Sequence, residues 1–137
     1  MAFVADASVV GAWVLNEDDP LAESALARLE TEDALAPDLL WHEIRNILIV
    51  AVRRNRIGKS DVLALLQRLA DLPLENAGGG DSIEIVRLAG RHRLSAYDAA
   101  YLALAVARKL PLATMDKRLA AAARAEGVAL VGPAPRA

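Results

Sequence analysis

The chain has 137 residues, a length that suits one domain with a real hydrophobic core. Its 55% hydrophobic and 25% charged residues exclude a disordered chain, and a net charge of -2 excludes the global basic field of a nucleic-acid-coating protein, so any nucleic-acid contact has to be local. The absence of cysteine excludes disulfides, zinc thiolate sites and thiol nucleophiles, and two histidines, His42 and His92, are too few for a histidine-based metal site.

The chain opens on Phe3-Val4-Ala5, continuously apolar and not alternating, which predicts a strand buried on both faces. Asp6 ends it as the only charge in the first sixteen residues. A carboxylate there is costly unless it caps a helix or meets a metal ion. A short helix follows over residues 8–15 and a second from Pro20 to about residue 32, with Leu21, Ala25, Leu26 and Leu29 on its inner face. Residues 34–36 form a second strand. Asp38 then caps a long helix reaching about residue 54, apolar at Leu40, Ile44, Ile47, Leu48 and Ala51, with the run 47–52 pointing to burial on more than one side.

After a basic turn, Ser60 or Asp61 caps a helix with Val62, Leu65, Leu66 and Leu69 in phase. Pro73-Leu74 begins a brief extended piece, and residues 76–80 form a flexible loop whose glycines lack the following lysine and hydroxyl residue of a phosphate-binding loop. Asp81 or Ser82 opens a helix through Ile85, Val86, Leu88 and Ala89, and Ser95 caps another over residues 96–109. Residues 110–114 predict a fourth strand, residues 117–125 a helix stopped by Gly127, and residues 128–131 a last strand before a loose tail over 132–137. Short apolar strands alternating with helices call for an α/β fold with a mostly parallel sheet of four to five strands covered on both sides, one domain over residues 1–131. No apolar run reaches membrane-spanning length and no basic segment precedes an apolar start, so the expectation is a soluble, cytoplasmic protein.

Four acids fall where the pattern wants apolar or neutral side chains. Asp6 and Asp116 each follow a strand and precede a helix; Asp98 is the only charge between Leu94 and Val106; Glu43 lies at the edge of the long helix's apolar stripe. Each has an ordinary local account, three as helix caps or capping partners and Glu43 as a boundary residue. In an open parallel sheet, however, strand carboxyl ends gather in one crevice, and four carboxylates sharing it need cations. All-oxygen ligands suit Mg²⁺ or Mn²⁺, and two such ions roughly 4 Å apart can drive phosphodiester hydrolysis without a covalent nucleophile.

With these acids in view, the chain resembles the PIN-domain family and, within it, the VapC-type toxins of bacterial toxin-antitoxin pairs. The resemblance is carried by Phe3-Val4-Ala5-Asp6-Ala7-Ser8, by Ala36-Pro37-Asp38-Leu39-Leu40-Trp41-His42-Glu43-Ile44, by Leu94-Ser95-Ala96-Tyr97-Asp98-Ala99-Ala100-Tyr101-Leu102-Ala103-Leu104-Ala105, and by Leu112-Ala113-Thr114-Met115-Asp116. It implies a PIN-like three-layer α/β/α fold and a Mg²⁺- or Mn²⁺-dependent endoribonuclease that inhibits translation and growth. Asp6, Glu43, Asp98 and Asp116 match the family's metal-binding acids, Ser8 and Thr114 its nearby hydroxyl positions, and Asn46 a supporting position one helical turn after Glu43. The resemblance also implies a homodimer and a small VapB-like antitoxin, joined in a heterotetramer or larger assembly.

For RNA contact the candidates are Lys117 and Arg118 after Asp116, and Arg91, His92 and Arg93 before the Asp98 helix, although basic helix ends also answer the helix dipole. Trp13, Trp41, Tyr97 and Tyr101 are in apolar helical phase and are expected in the core, leaving no aromatic stacking platform. Two alternatives stand beside this reading. One is another Mg²⁺-dependent α/β phosphohydrolase or a phospho-acceptor domain, against which Ser8 stands where a dehalogenase-type enzyme wants a second aspartate. The other is a non-catalytic PIN-like binding module.

Overall fold

The computed structural model describes residues 1–133. Four parallel strands, β1 (Ala2–Ala5), β2 (Asp33–Ala36), β3 (Leu74–Asn76) and β4 (Leu112–Ala113), lie in the order β3-β2-β1-β4. Val4 of β1 sits between Leu35 of β2 and Leu112 of β4, which sets the register across the centre of the sheet. The chain leaves β1 through helices α1 (Ala7–Leu15) and α2 (Pro20–Arg28), then leaves β2 through α3 (Leu39–Arg53) and α4 (Val62–Asp71). Both crossovers step outward in the same direction, and right-handed connections place their helices on one face; α1 accordingly packs against α2, α3 and α4. From β3 the chain returns through α5 (Ser82–His92) and α6 (Ala96–Arg108) to the other side of β1. That reversal puts α5, α6 and the final helix α7 (Lys117–Ala125) on the opposite face, with α6 against β1 and β4. The result is the expected three-layer α/β/α architecture.

Burial explains why β1 tolerates no alternation: Phe3, Val4 and Ala5 are all fully enclosed between the two helix layers. Trp13 meets Phe3 edge-on with ring centroids 6.4 Å apart, and its indole N–H donates to the Ala22 carbonyl at 2.8 Å, tying α1 to α2.

Several local expectations are corrected. Leu26 is 43% exposed, because Leu21, Ala22 and Ala25 form the buried face of α2, which ends at Arg28 in a turn. Asp38 already has helical backbone angles and its side chain caps nothing; its N–H donates to the Gly78 carbonyl. Ile49 is 47% exposed, so the apolar run of α3 is not buried all round. Neither Ser60 nor Asp61 caps α4: a 3₁₀ turn over Lys59–Asp61 intervenes, and the Asp61 carboxylate accepts from the Gly58 N–H. Val86 is 68% exposed and only Leu88 of α5 is fully buried. The glycine loop is tied down, with Ala77 N–H donating to Ala36 and Gly78 N–H to the Asn76 side chain. The strand expected over 128–131 reduces to one parallel bridge, Leu112 with Leu130, because β4 is only two residues long before the chain turns into α7. Of the tail expected over 132–137, residues 134–137 lie outside the described residues, while Gly132 rests against Leu21 and Ser24 of α2. No helix among the described residues is long and apolar enough to cross a membrane.

Candidate functional site

The strand order reverses between β1 and β4, and in open parallel sheets the crevice for ligands forms at the carboxyl ends flanking such a reversal. Asp6 follows β1 there and Thr114 follows β4. Asp6 caps α1 by accepting from the Val9 N–H at 3.1 Å, and the same oxygen accepts from the Ser8 hydroxyl at 2.6 Å. Its other oxygen accepts from the Thr114 hydroxyl. Each hydroxyl works twice: Ser8 Oγ also accepts from Met115 N–H at 2.9 Å, and Thr114 Oγ1 from Asp116 N–H at 3.0 Å. Two short side chains thus join the ends of β1 and β4, and a carboxylate with about four lone-pair sites keeps one on Oδ2 open.

Glu43 comes from the start of α3. Its Oε1 accepts from the Tyr101 hydroxyl at 2.7 Å, across the sheet edge from α6, while Oε2 has no partner among the described residues. Asp98 lies in the first turn of α6, which Ser95 caps by accepting from the Asp98 N–H at 3.1 Å. Asp116 caps α7 by accepting from Leu119 N–H at 2.9 Å. The helix-cap account of Asp6 and Asp116 therefore holds, and it leaves an oxygen on each carboxylate for other work.

Electrostatics join the four. Burial pushes the Asp6 carboxyl up to about 6, against the hydroxyl and backbone hydrogen bonds that favour its charged form, and the Asp98 charge adds to the rise. Burial also raises Glu43, with Tyr101 opposing and Asp98 reinforcing. Asp98 is raised by desolvation and then by the charge of Asp116. Tyr101 is held well above the usual phenol range by burial and by Glu43, so it stays a donor. Asp98 is the hub of this group, coupled to the other three.

No lysine or arginine forms an ion pair with any of the four among the described residues. That unmatched charge fits a divalent cation. No three such groups are placed together to hold a metal ion among the described residues; Mg²⁺, which keeps several waters and takes one or two carboxylates plus substrate phosphate, does not need three.

The other candidates divide. Ser8 and Thr114 stand at the centre of the site, whereas Asn46 is exposed on α3 and has no hydrogen bond to the acids among the described residues. Arg91 and His92 both reach Glu126, at 3.5 and 2.6 Å, while Arg93, Lys117 and Arg118 are exposed and free of ion pairs among the described residues. Sequence reasoning put Tyr101 and Tyr97 in the core together. Tyr101 is indeed 1% exposed but also holds Glu43, a role its apolar helical phase hides, and Tyr97 is corrected to 66% exposed because it lies on the outer side of the first turn of α6.

Comparison with known proteins identifies the family. The PIN domain family profile matches residues 3–125. VapC ribonuclease Mb0985 of Mycobacterium bovis and ribonuclease VapC9 of Mycobacterium tuberculosis are each 35% identical over 126 residues, covering 90% of this chain and 92% of each relative. The crystal structure of PAE2754 from Pyrobaculum aerophilum superposes with a TM-score of 0.66 at 25% identity, covering 89% of this chain and 87% of that one. With its reversal crevice, its four coupled carboxylates and these similarities along nearly the whole chain, the protein belongs to the PIN domain family, in its VapC group.

Proposed function

We propose that this protein is a VapC-type endoribonuclease toxin that hydrolyses RNA phosphodiester bonds with Mg²⁺ or Mn²⁺. The observation that carries the reading is the coupling of Asp6, Glu43, Asp98 and Asp116 at the sheet's reversal point with no cation of the protein paired to them among the described residues. Carboxylates of this set would hold the metal, with water and substrate phosphate completing its shell. When bound, it supplies a polarised water and neutralises charge on the leaving oxygen. Ser8 and Thr114 keep the Asp6 carboxylate aimed and hydrogen-bonded in a buried site, and the Tyr101 hydroxyl fixes one oxygen of Glu43 and leaves the other without a protein partner among the described residues. The clustered negative charge, costly in the free protein, becomes favourable only around a cation. The names of the relatives support a VapB-like antitoxin as partner; we extend the proposal to a homodimer inside a heterotetramer or larger assembly, acting in the cytoplasm.

The test is cleavage of structured RNA by the purified protein. Activity is expected with added Mg²⁺ or Mn²⁺, is abolished by chelator, and is abolished in Asp6→Asn and Asp98→Asn with the far-UV circular dichroism unchanged. Cleavage without metal, or full activity in both variants, refutes the mechanism. A short neighbouring reading frame encoding a DNA-binding antitoxin is the expected genomic context.

A further inference from the structure

The direction of the hydrogen bonds around Asp6 is fixed by the backbone. A main-chain N–H can only donate, so Ser8 Oγ, which accepts from Met115 N–H at 2.9 Å, has its single proton left for Asp6 Oδ1, 2.6 Å away. Thr114 is committed in the same way, accepting from Asp116 N–H at 3.0 Å and donating to Asp6 Oδ2. Val9 N–H adds a second donor to Oδ1 at 3.1 Å. A carboxylate has about four lone-pair sites, shared equally by its oxygens, so Ser8 and Val9 fill Oδ1 and Thr114 leaves a single opening on Oδ2. Capping does not explain this, because Asp6 caps α1 through Val9 N–H without help from Ser8.

Glu43 is tethered in a similar sense, since its Oε1 accepts from the Tyr101 hydroxyl at 2.7 Å. Divalent cations differ in what they ask of such groups. Ca²⁺ gathers roughly six to eight oxygens and readily takes both oxygens of one carboxylate, whereas the smaller Mg²⁺ holds a near-octahedral shell of single oxygens and waters.

We infer that Ser8 is a specificity-determining residue for the metal: by closing Oδ1 together with Val9 N–H, it limits Asp6 to one ligating oxygen and favours Mg²⁺ or Mn²⁺ over Ca²⁺. Tyr101 acts in the same direction on Glu43. The inference rests on the metal-dependent reading above and deepens it, assigning to hydroxyl groups of this chain the choice between ions of equal charge.

The test follows Mn²⁺ binding to the purified protein through loss of the free-ion electron paramagnetic resonance signal, with Mg²⁺ and Ca²⁺ titrated as competitors. The wild type is expected to prefer Mg²⁺ to Ca²⁺. Ser8→Ala opens Oδ1 and should move the ratio of the two affinities toward Ca²⁺ by roughly tenfold, the scale on which partners of a metal ligand act, while Ser8→Thr keeps the wild-type ratio. Lost packing, or loss of the Met115 contact alone, weakens both ions together and leaves the ratio where it was. Tyr101→Phe retains the buried ring and should shift the ratio in the same direction, a measurement independent of how well Ser8→Ala folds. A ratio unchanged in every folded variant, or a wild type that takes Ca²⁺ as tightly as Mg²⁺, overturns the inference even where RNA is cleaved with Mg²⁺. Mn²⁺ that does not bind the wild type overturns the metal reading and the selection together. The expected shift in a protein that cuts no RNA instead refutes the ribonuclease reading and leaves ion selection standing.

Discussion

Replacing Asp6 by asparagine should abolish cleavage and yet stabilise the metal-free fold at neutral pH. Asparagine matches the shape, caps helices as well as aspartate, and the Ser8 and Thr114 hydroxyls can rotate to suit it. What it removes is a carboxylate, 4% exposed, whose pKa burial lifts from 3.8 to about 6. A carboxyl with a folded-state value above its unfolded one binds its proton more tightly in the fold. Its penalty is therefore absent below about pH 4, grows as pH rises through the folded value, and is complete above it. A rise of about two units corresponds to about 3 kcal/mol, and for a domain of this size to a gain of about 10 °C in Tm at pH 8. Thermal unfolding of both proteins in chelator from pH 4.5 to pH 8 measures it. The advantage of the variant should widen with pH, and Mg²⁺ should raise the Tm of the wild type more than that of Asp6→Asn. A variant less stable than wild type at pH 8, or one with the same advantage at both ends of the range, would refute the argument.

Tyr101→Phe keeps the buried ring and removes only the donor to Glu43. The Mg²⁺ concentration for half-maximal cleavage should rise roughly tenfold with the RNA KM unchanged, within the range for a hydrogen bond to a charged group; direct titration with Mn²⁺ should weaken in parallel, and an unchanged metal midpoint would count against this positioning role. Thr114→Val deletes the donor to Asp6 and the acceptor for Asp116 N–H, and should lower stability in urea by about 1–3 kcal/mol while depressing cleavage, whereas Thr114→Ser should restore both. A Thr114→Ser protein as impaired as Thr114→Val would show that the methyl packing matters and the hydroxyl does not.

Local signals made much of this protein legible before any fold was in hand. Continuous apolar runs marked β1 and β2, Ser95 and Asp116 announced their helices, and the four acids stood out because Asp6 and Asp98 are lone charges in apolar surroundings, Asp116 follows a strand, and Glu43 edges an apolar stripe. Those signals depend on a residue and its neighbours within a turn, where sequence and space coincide. They failed where a helix meets solvent at an angle that periodicity does not specify: Leu26, Val86 and Tyr97 face outward.

What only the tertiary structure decided are the contacts across long separations. Thr114 meets Asp6 over 108 residues and Tyr101 meets Glu43 over 58, through a strand order in which β4 returns to the open side of β1. The sequence alone determined which carboxylates are out of place. The packing of two helix layers on a reversing sheet brought their charges together and assigned hydroxyls to hold two of them. Burial and charge depend on distance in space, and the chain's fold is what converts one into the other.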